Sequence, residues 1–521
     1  MSTPGASSDA RAWLEEADRL HQEKRFGPAA EHYRRALARD ESLSEAWYGL
    51  GCAEASGGEF GAAIPALRRA LTPRPDATRL RINLAEALFG LGYVSDSVRE
   101  YLRAIAEGDP ETQALALRNI ACIAPGDLAM DNAAIMRTRR LWAETEAAAA
   151  RPVRLVDRAP GARLRVGYYG AFFNARNWMK MYIGVINAHD RDRFEVTMIA
   201  DGALPSAEAG YRDCPDDRVW EVTGVPNHEL AGHIAEYGLD VLVDMNGYSH
   251  QTRMGLLAFR SAPVQIAWSG MYATTGFAAV DCVIADAWSI PPEEEVFCVE
   301  RVRRVPGSYL AFDTFYPAPD PVPPPHAMSG HVTFGSLISG YKVTAEVIAC
   351  WSRILRGVPG SRLLLRNRVL DRASNRADVI ARFAANGVEA GRLVLEGGGA
   401  HDAFLRTYDR IDIALDAFPY SGATTTAEAI WQGVPVLTFN GDRWAARTSR
   451  SILMEAGLGE WVAPDQAGFE AMAIRMGLAP DGLATIRAGL RAKVAASPAC
   501  DTEGLCRALE AIYQEELAAK R

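Results

Sequence analysis

Residues 416–447 read DAFPYSGATTTAEAIWQGVPVLTFNGDRWAAR, and this stretch decides how the rest of the chain is interpreted. It follows an apolar run at 411–415 and contains a second one at 434–439, with a helical segment between them. Short apolar runs that alternate with helices are typical of a parallel sheet covered by helices. The stretch therefore predicts a strand, a loop, a helix and a second strand of a doubly wound α/β domain.

The loop and the first turn of the predicted helix carry small and hydroxyl-bearing residues. Gly422 lets the backbone approach a phosphate closely, and hydroxyl and N–H groups at the helix start come from Thr424, Thr425 and Thr426. Glu428, one turn into the helix, can accept hydrogen bonds from ribose hydroxyls. A threonine run alone is also typical of a simple N-cap. Together with the glutamate and the following GVPVLT, it favours a site for a nucleotide diphosphate.

The same alternation extends over most of the chain in two series. The first series has predicted strands at 164–169, 194–200, 241–244 and 283–286. The second has them at 332–336, 362–365, 393–396, 411–415 and 434–439. Between them, residues 316–330 contain six prolines, which exclude a helix or a central strand and indicate a linker. We expect two Rossmann-like domains, 160–315 and 331–517, with a cleft at the carboxyl ends of both sheets.

An internal period of about 34 residues, the length of a tetratricopeptide repeat, occupies the start of the chain. Alanines recur at this spacing with a large residue three places before each: Tyr33 before Ala36, Leu67 before Ala70 and Tyr101 before Ala104. Alanines let two antiparallel helices approach closely, while the large residues fill the groove between them. The period predicts helical repeats over about 9–110, with capping helices that extend the domain to residue 150.

The repeats predict a role in recognition. Such arrays usually bind a peptide or a protein, although they also serve as spacers or as arms of a homodimer. We expect the repeats to form a layer that is separate from the 416–447 stretch. Deletion of residues 1–110 should then weaken recognition of a protein partner and spare nucleotide binding.

Composition limits the classes of protein that this chain of 521 residues can represent. The formal net charge of -9 argues against nucleic-acid binding, because no basic surplus is available to neutralise phosphates. The eight cysteines form no CxxC pair, so neither a zinc site nor a disulfide framework is predicted. No apolar stretch approaches the length of a membrane span, and the first residues lack the pattern of a signal peptide. These features predict a cytoplasmic protein without membrane association.

The pattern D-x-FPY-x-G-x-TTT-x-E, followed by GVPVLT, resembles the donor-binding core of the O-GlcNAc transferase and SPINDLY family. That family joins tetratricopeptide repeats to two Rossmann-like domains in the GT-B arrangement. The resemblance implies an inverting glycosyltransferase that moves a sugar from a nucleotide donor to Ser or Thr of a protein chosen by the repeats. A glycosyltransferase of the same fold with another acceptor, such as Asn or a small molecule, stays an alternative. It also implies that the donor contacts Gly422, Thr424, Thr425, Thr426, Glu428 and Arg447.

A second match lies at 334–348, FGSLISGYKVTAEVI, which is similar to the family segment in which a lysine touches the donor diphosphate. Lys342 takes that place, with Tyr341 before it, and a lysine there neutralises the charge of the leaving group. The first α/β domain matches less completely, at 240–248, 260–276 and 281–286. The resemblance thus spans nearly the whole chain.

The chain departs from the family in its first α/β loop, YYGAFFNARNWMK at 168–180. A family aspartate corresponds to Ala171, and a histidine that lines the active site corresponds to Ala175. A second family histidine corresponds to Phe404; His401 is close in sequence but on a different helix face. Either the protein is an inactive repeat-based binding protein, or its donor sugar differs from GlcNAc. The retained phosphate-binding residues favour a changed donor.

The replacements in this loop are positive or polar, namely Arg176, Asn177 and Lys180. Positive charge would suit an acidic donor sugar such as a CMP-nonulosonate. The repeat-bearing flagellin glycosyltransferases of bacteria resemble the family in this loose way and transfer such sugars. Flagellin is therefore one candidate for the protein acceptor.

Inverting transfer needs a proton relay for the acceptor hydroxyl and stabilisation of the departing diphosphate. The candidate relays are Asp240, Asp244 and His250, which we expect near one loop that faces the cleft. Each is equally compatible with a strand-end cap or a surface group. Lys342 is the candidate for stabilising the leaving group. No DxD metal motif occurs in a convincing context, so we expect neither a metal nor another cofactor beyond the nucleotide-sugar co-substrate.

Overall fold

The structure is a computed structural model that describes residues 8–158, 162–249, 253–270 and 272–520. Its contacts divide the chain into two compact units. The first unit combines the chain up to Ala129 with Thr333–Ala400, and the second combines Met130–Val332 with His401–Arg521. Each unit is therefore assembled from two stretches that are separated in sequence.

The described residues form helices and strands in the following order. The helices are α1 (Ser8–Gln22), α2 (Phe26–Arg39), α3 (Ser44–Ser56), α4 (Phe60–Leu71), α5 (Thr78–Gly90), α6 (Val94–Glu107), α7 (Pro110–Ile123), α8 (Asn132–Ala149), α9 (Arg176–Met179), α10 (Ile183–Asn187), α11 (Asn227–Tyr237), α12 (His326–Ser329), α13 (Ala345–Gly357), α14 (Ala373–Ala385), α15 (His401–Leu405), α16 (Thr424–Trp431), α17 (Thr448–Glu455), α18 (Gln466–Leu478), α19 (Leu483–Ala495) and α20 (Thr502–Ala518). The strands are β1 (Leu164–Gly170), β2 (Phe194–Ala200), β3 (Arg218–Glu221), β4 (Val241–Asp244), β5 (Val264–Ala267), β6 (Cys282–Ala285), β7 (Arg301–Arg304), β8 (Thr333–Ser336), β9 (Arg362–Arg366), β10 (Leu393–Glu396), β11 (Ile413–Leu415), β12 (Val436–Phe439) and β13 (Val462–Ala463).

The first six helices form the repeats that the period predicts. They pack as antiparallel pairs, α1 with α2, α3 with α4 and α5 with α6. Ala36, Ala70 and Ala104 are completely buried at equivalent positions of α2, α4 and α6. The large residues three places earlier, Tyr33 and Leu67 among them, are buried in the same cores. The prediction of helical repeats is confirmed.

The rest of the first unit is the beginning of the second α/β series. β8, β9 and β10 are parallel in the order β10-β9-β8. α14, which follows β9, packs on α4 of the second repeat. There Asn375 donates to the carbonyl of Gly58 at 2.8 Å and accepts from the N–H of Gly61 at 2.9 Å. The turns of the repeats thus offer backbone groups to α14 that no periodicity reveals. The 416–447 stretch, from which the repeats were expected to be separate, belongs to the second unit.

The second unit contains the complete first sheet. Its seven strands are parallel in the order β3-β2-β1-β4-β5-β6-β7. The predicted strands at 164–169, 194–200 and 241–244 are present, and β6 begins one residue before the predicted 283. β3, β5 and β7 were not predicted. β3 and β7 read RVWE and RVRR, so their charged residues break the apolar pattern that reveals a buried strand.

Two helices outside 160–315, α8 before this stretch and α20 far after it, pack on the first α/β domain. α8 was expected to cap the repeats within 9–150, but in the second unit Arg139 donates to the carbonyl of Thr274 at 2.8 Å. α20 was expected with the second Rossmann-like domain at 331–517, but it packs on α10. His189 and Glu510 join them, with Nδ1 and Oε1 2.8 Å apart. The predicted domain boundaries group each helix with its neighbours in sequence, whereas α8 and α20 both pack on the first α/β domain.

Residues 316–330 also differ from the prediction, because one helical turn, α12, forms inside the proline-rich segment. The prolines end at Pro325, and proline is tolerated at the first positions of a helix because its missing N–H is not needed there. The N–H of His326 donates to Oδ1 of Asp412 at 3.0 Å, and Arg487 donates to the carbonyl of Val322 at 2.8 Å. The segment is thus tied to the second unit.

The remaining strands of the second unit, β11, β12 and β13, are parallel in that order and are accompanied by α16–α19. The two-residue β13 is too short to leave a sequence signal. No helix in the described part of the chain has both the length and the apolarity needed to cross a membrane. All eight cysteines lie within the described residues, and none of them forms a disulfide.

Candidate functional site

The loop after β11 holds the start of α16 in place. Asp416 follows the strand at its carboxyl end and is buried. Its Oδ1 accepts a hydrogen bond from the N–H of Gly422 at 2.7 Å, and its Oδ2 accepts one from Thr438 at 2.7 Å. A Cβ at Gly422 would lie 2.5 Å from Oγ1 of Thr426. A larger residue here would therefore displace the Thr426 hydroxyl.

The first turn of α16 is the threonine run, as the sequence predicts. Its leading N–H groups have no acceptor inside the helix. Thr424 and Thr425 are half-buried, whereas Thr426 is buried with its hydroxyl 2.7 Å from that of Ser449. Tyr408 donates its hydroxyl to the carbonyl of Thr425 at 2.9 Å. The positive end of the helix and two accessible threonines form a site suited to a diphosphate.

Glu428, on the next turn of α16, forms an ion pair with Lys180 from the first α/β domain. Both side chains are almost inaccessible, with 2% and 0% of their surface exposed. Burial raises the pKa of the Glu428 carboxyl and lowers the pKa of the Lys180 ammonium, while the opposite charge of each partner counteracts both shifts. A buried charge is stable only when it is paired, so this contact fixes the first domain against α16.

This ion pair corrects the expectation that the 168–180 loop adds positive charge for an acidic sugar. The charge of Lys180 is cancelled by Glu428, and its Nζ lies 4.7 Å from the centroid of the Tyr316 ring. Arg176 is half-buried and donates to the carbonyl of Glu208 at 3.1 Å, while Asn177 is exposed. Arg176 is the remaining charge in support of an acidic donor.

His401 lies in the same environment, although its sequence position argued against it. Its ring packs edge-on against Tyr316, with the centroids 4.7 Å apart. Within the described residues neither ring nitrogen has a hydrogen-bond partner. Burial, with the charges of Lys180 and Arg176, lowers the pKa of His401 to about 4, so the ring is neutral at pH 7. Tyr316, inside the supposed linker, supplied no sequence signal for this contact.

The candidate proton relays do not lie together. Asp244 is buried at the carboxyl end of β4 and accepts from the N–H groups of Asn246 and Gly247 at 3.2 and 3.0 Å. Burial raises its pKa to about 7. Asp240 precedes the strand at the opposite edge of the sheet, where it pairs with Arg158, so its predicted place beside the cleft loop is wrong. His250 lies outside the described residues.

Arg447, expected to contact the donor, is buried between two acceptors in the second unit. Its Nε donates to the carbonyl of Gly441 at 2.8 Å, and its Nη1 donates to Glu294 at 2.7 Å. The residue immediately precedes α17 and joins it to the 3-10 helix Pro292–Phe297. In this structure Arg447 therefore braces the loop after β12.

Lys342 and Tyr341 belong to the first unit, in the 3-10 turn Gly340–Lys342 after β8. The ring of Tyr341 stacks on Phe89 of α5, with centroids 4.9 Å apart and an interplanar angle of 21°. The Lys342 Nζ lies 5.9 Å from the centroid of the Tyr341 ring. The roles of both residues toward a donor remain predictions.

Within the described residues one group of three side chains has the spacing of metal ligands, namely His189, Cys506 and Glu510. Its histidine and glutamate are already 2.8 Å apart, and Arg507 lies 2.7 Å from the second Glu510 oxygen. A neighbouring guanidinium disfavours a cation. The group is better explained as a polar contact that fixes α20.

Comparison with known proteins agrees with this architecture. The model of glycosyl transferase family 41 matches residues 148–315 and 328–509, and a tetratricopeptide repeat model matches 14–78 and 48–112. The solved structure of a mutant Thermobaculum terrenum O-GlcNAc transferase superposes with a TM-score of 0.83 and 28% identity, covering 100% of this chain and 99% of that one.

Curated relatives are similar over about two thirds of this chain. A probable UDP-N-acetylglucosamine–peptide N-acetylglucosaminyltransferase SPINDLY of Oryza sativa subsp. japonica is 32% identical over 64% of this chain and 35% of its own length. Its Arabidopsis thaliana counterpart is 31% identical over 68% of this chain and 39% of its own length. The chain thus spans little more than a third of these relatives. Because the family model covers more than half of the chain, and the fold pairs helical repeats with two Rossmann-like domains, the chain belongs to glycosyl transferase family 41.

Proposed function

We propose that this chain is an inverting glycosyltransferase that moves a sugar from a nucleotide donor to Ser or Thr of a protein bound by the repeats. The observation that carries this function is the start of α16, where Gly422 and the threonine run form a helix N-terminus suited to a diphosphate. Family membership and the printed activities of the relatives support the same reaction. The repeats support a protein acceptor, since arrays of this length usually bind peptides.

Each step of the reaction has a candidate residue. The N-terminus of α16 neutralises the diphosphate as the bond to the sugar breaks. The resemblance of 334–348 to the family segment assigns Lys342 to the same leaving group. Glu428 and Lys180, both inaccessible, hold the first α/β domain against α16 through their ion pair. Asp244, with its pKa raised to about 7, receives the proton of the acceptor hydroxyl. Positive charge thus comes from the protein itself, and we propose that no resident metal is required.

The donor sugar is proposed to be neutral. An acidic sugar needs an uncompensated positive charge, and Lys180 is already compensated by Glu428. Arg176 alone favours the acidic alternative, a CMP-nonulosonate transferred to a protein such as flagellin, and its guanidinium is partly engaged by the Glu208 carbonyl.

The test is a donor panel with the full chain, comparing UDP-GlcNAc, GDP-fucose and a CMP-nonulosonate. Donor hydrolysis measures activation of the sugar, and mass spectrometry of co-expressed proteins measures transfer to Ser or Thr. We expect one neutral donor to be used, with the rate unchanged by EDTA. Fastest use of the acidic donor would contradict the neutral sugar. Absence of both hydrolysis and transfer for every donor would contradict an enzyme and favour an inactive binding protein.

A further inference from the structure

The turn that carries Lys342 lies directly against the third repeat, inside the first unit. The connection between α5 and α6 includes Gly92, whose φ is +82°. A Cβ at Gly92 would lie 2.5 Å from the carbonyl oxygen of Val343, the residue after Lys342. On the other side of the turn, Tyr341 stacks on Phe89. The repeat therefore contacts the residues that flank Lys342 on both sides.

Arg382 of α14 joins the same two segments through their backbones. Its Nη1 donates to the carbonyl of Leu91 in the repeat at 2.8 Å, and its Nη2 donates to the carbonyl of Val343 at 2.9 Å. The Arg382 side chain is 11% exposed. A planar guanidinium can hold two carbonyls at a fixed separation, which a lysine ammonium cannot do in the same geometry.

The third repeat also holds Arg382 in place. The guanidinium lies over the ring of Tyr93, 4.5 Å from its centroid, a cation–π arrangement. The Tyr93 hydroxyl donates to Oδ1 of Asp378 at 2.8 Å, and Asp378 Oδ2 lies 3.7 Å from Arg382. The position of Arg382, and through it that of Val343, thus depends on the repeat.

We propose that Arg382 is a positioning residue that lets the third repeat hold Lys342 in place for the donor diphosphate. This inference rests on the proposed function, in which Lys342 contacts that diphosphate. It assigns the repeats a part in donor binding in addition to acceptor recognition. Deletion of residues 1–110 is therefore expected to weaken nucleotide binding, contrary to the expectation from sequence.

A double-mutant cycle tests this role with the full chain. The variants are Lys342→Ala, Arg382→Ala and the combination, and the probes are UDP and GDP, measured by calorimetry. We expect Arg382→Ala to weaken the tighter-binding diphosphate roughly tenfold, with Arg382→Lys recovering only part of the loss. Because Arg382 acts through Lys342, the combination should bind within about twofold of Lys342→Ala alone. Thermal melting shows that each variant is folded.

One control variant separates positioning from the loss of an arginine as such. Arg356→Ala removes an exposed arginine of the same unit. It should bind the probe within about twofold of the unmodified chain. If the losses of binding in the two single variants multiply in the combined variant, the positioning role is overturned. Unchanged binding in Arg382→Ala would also overturn it. Unchanged binding in Lys342→Ala would instead refute the proposed contact of Lys342 with the donor, and the positioning role with it.

Discussion

Lys180 and Lys342 were both assigned to the donor from sequence, and their surroundings differ completely. Lys180 is inaccessible and paired with Glu428 inside the second unit. Lys342 is half-buried on a turn of the first unit, beside Tyr341. A lysine in the first setting serves the fold because no ligand can reach it, whereas one in the second is accessible to a ligand. A motif locates a charge along the chain, but the burial of the side chain decides what that charge can contact.

The largest expected effect comes from removing one partner of the buried ion pair. Lys180→Ala leaves the Glu428 carboxylate buried without a counter-charge, and loss of one such partner typically costs about 3–5 kcal/mol. Urea unfolding should show this loss. The combination Lys180→Met with Glu428→Gln removes both charges and should recover most of it. A Lys180→Ala variant as stable as the unmodified chain would remove the distinction between the two lysines.

A smaller free-energy change, confined to activity, is expected for Lys342→Ala. Removal of one group that stabilises a leaving charge costs roughly 100- to 1000-fold in turnover, because the interaction strengthens as the bond breaks. The urea midpoint should stay unchanged, since the Lys342 side chain is only half-buried. The loss is measured as turnover of Lys342→Ala and of the unmodified chain with the donor that the panel identifies. Full activity in this variant would show that Lys342 does not stabilise the leaving group.

The smallest expected effect is a change of pH dependence in Asp244→Asn. The folded pKa of about 7 lies above the ordinary value of 3.8, so the folded state holds the proton more tightly than the unfolded one. Stability should then fall as pH rises from about 4 to 7, by a few kcal/mol at most, and level off above pH 7. If Asp244 is the proton relay, kcat/KM should rise over the same interval. The pH dependence of stability and that of kcat/KM should both vanish in Asp244→Asn.

The repeats were the most predictable part of the chain. A helical period imposes its spacing on every unit, so Ala36, Ala70 and Ala104 could be recognised as contact points and are completely buried. Strands of apolar residues that are flanked by turns, such as β2 and β4, were equally predictable from the sequence. Edge strands with charged residues, such as β7, were not, because half of their surface faces solvent.

The candidate site was predictable only where one continuous stretch builds it. The loop at Gly422 and the start of α16 fall where the 416–447 pattern places them. The contacts of Lys180 and His401 join residues from distant parts of the chain, and no local spacing encodes them. Asp240 and Asp244 are four residues apart and therefore looked equivalent, but the strand between them sends them to opposite edges of the sheet.

The discontinuity of the first unit has a consequence for synthesis. Leu91 and its partner Arg382 are separated by 291 residues. At a translation rate of about 5–20 residues per second, the finished repeats wait on the ribosome for roughly 15 to 60 seconds before α14 emerges. During that interval Phe89 and Tyr93 are open to chaperones and to neighbouring nascent chains. The choice of codons downstream of the repeats should therefore affect the yield of folded protein. The supply of chaperones during this interval should affect it as well.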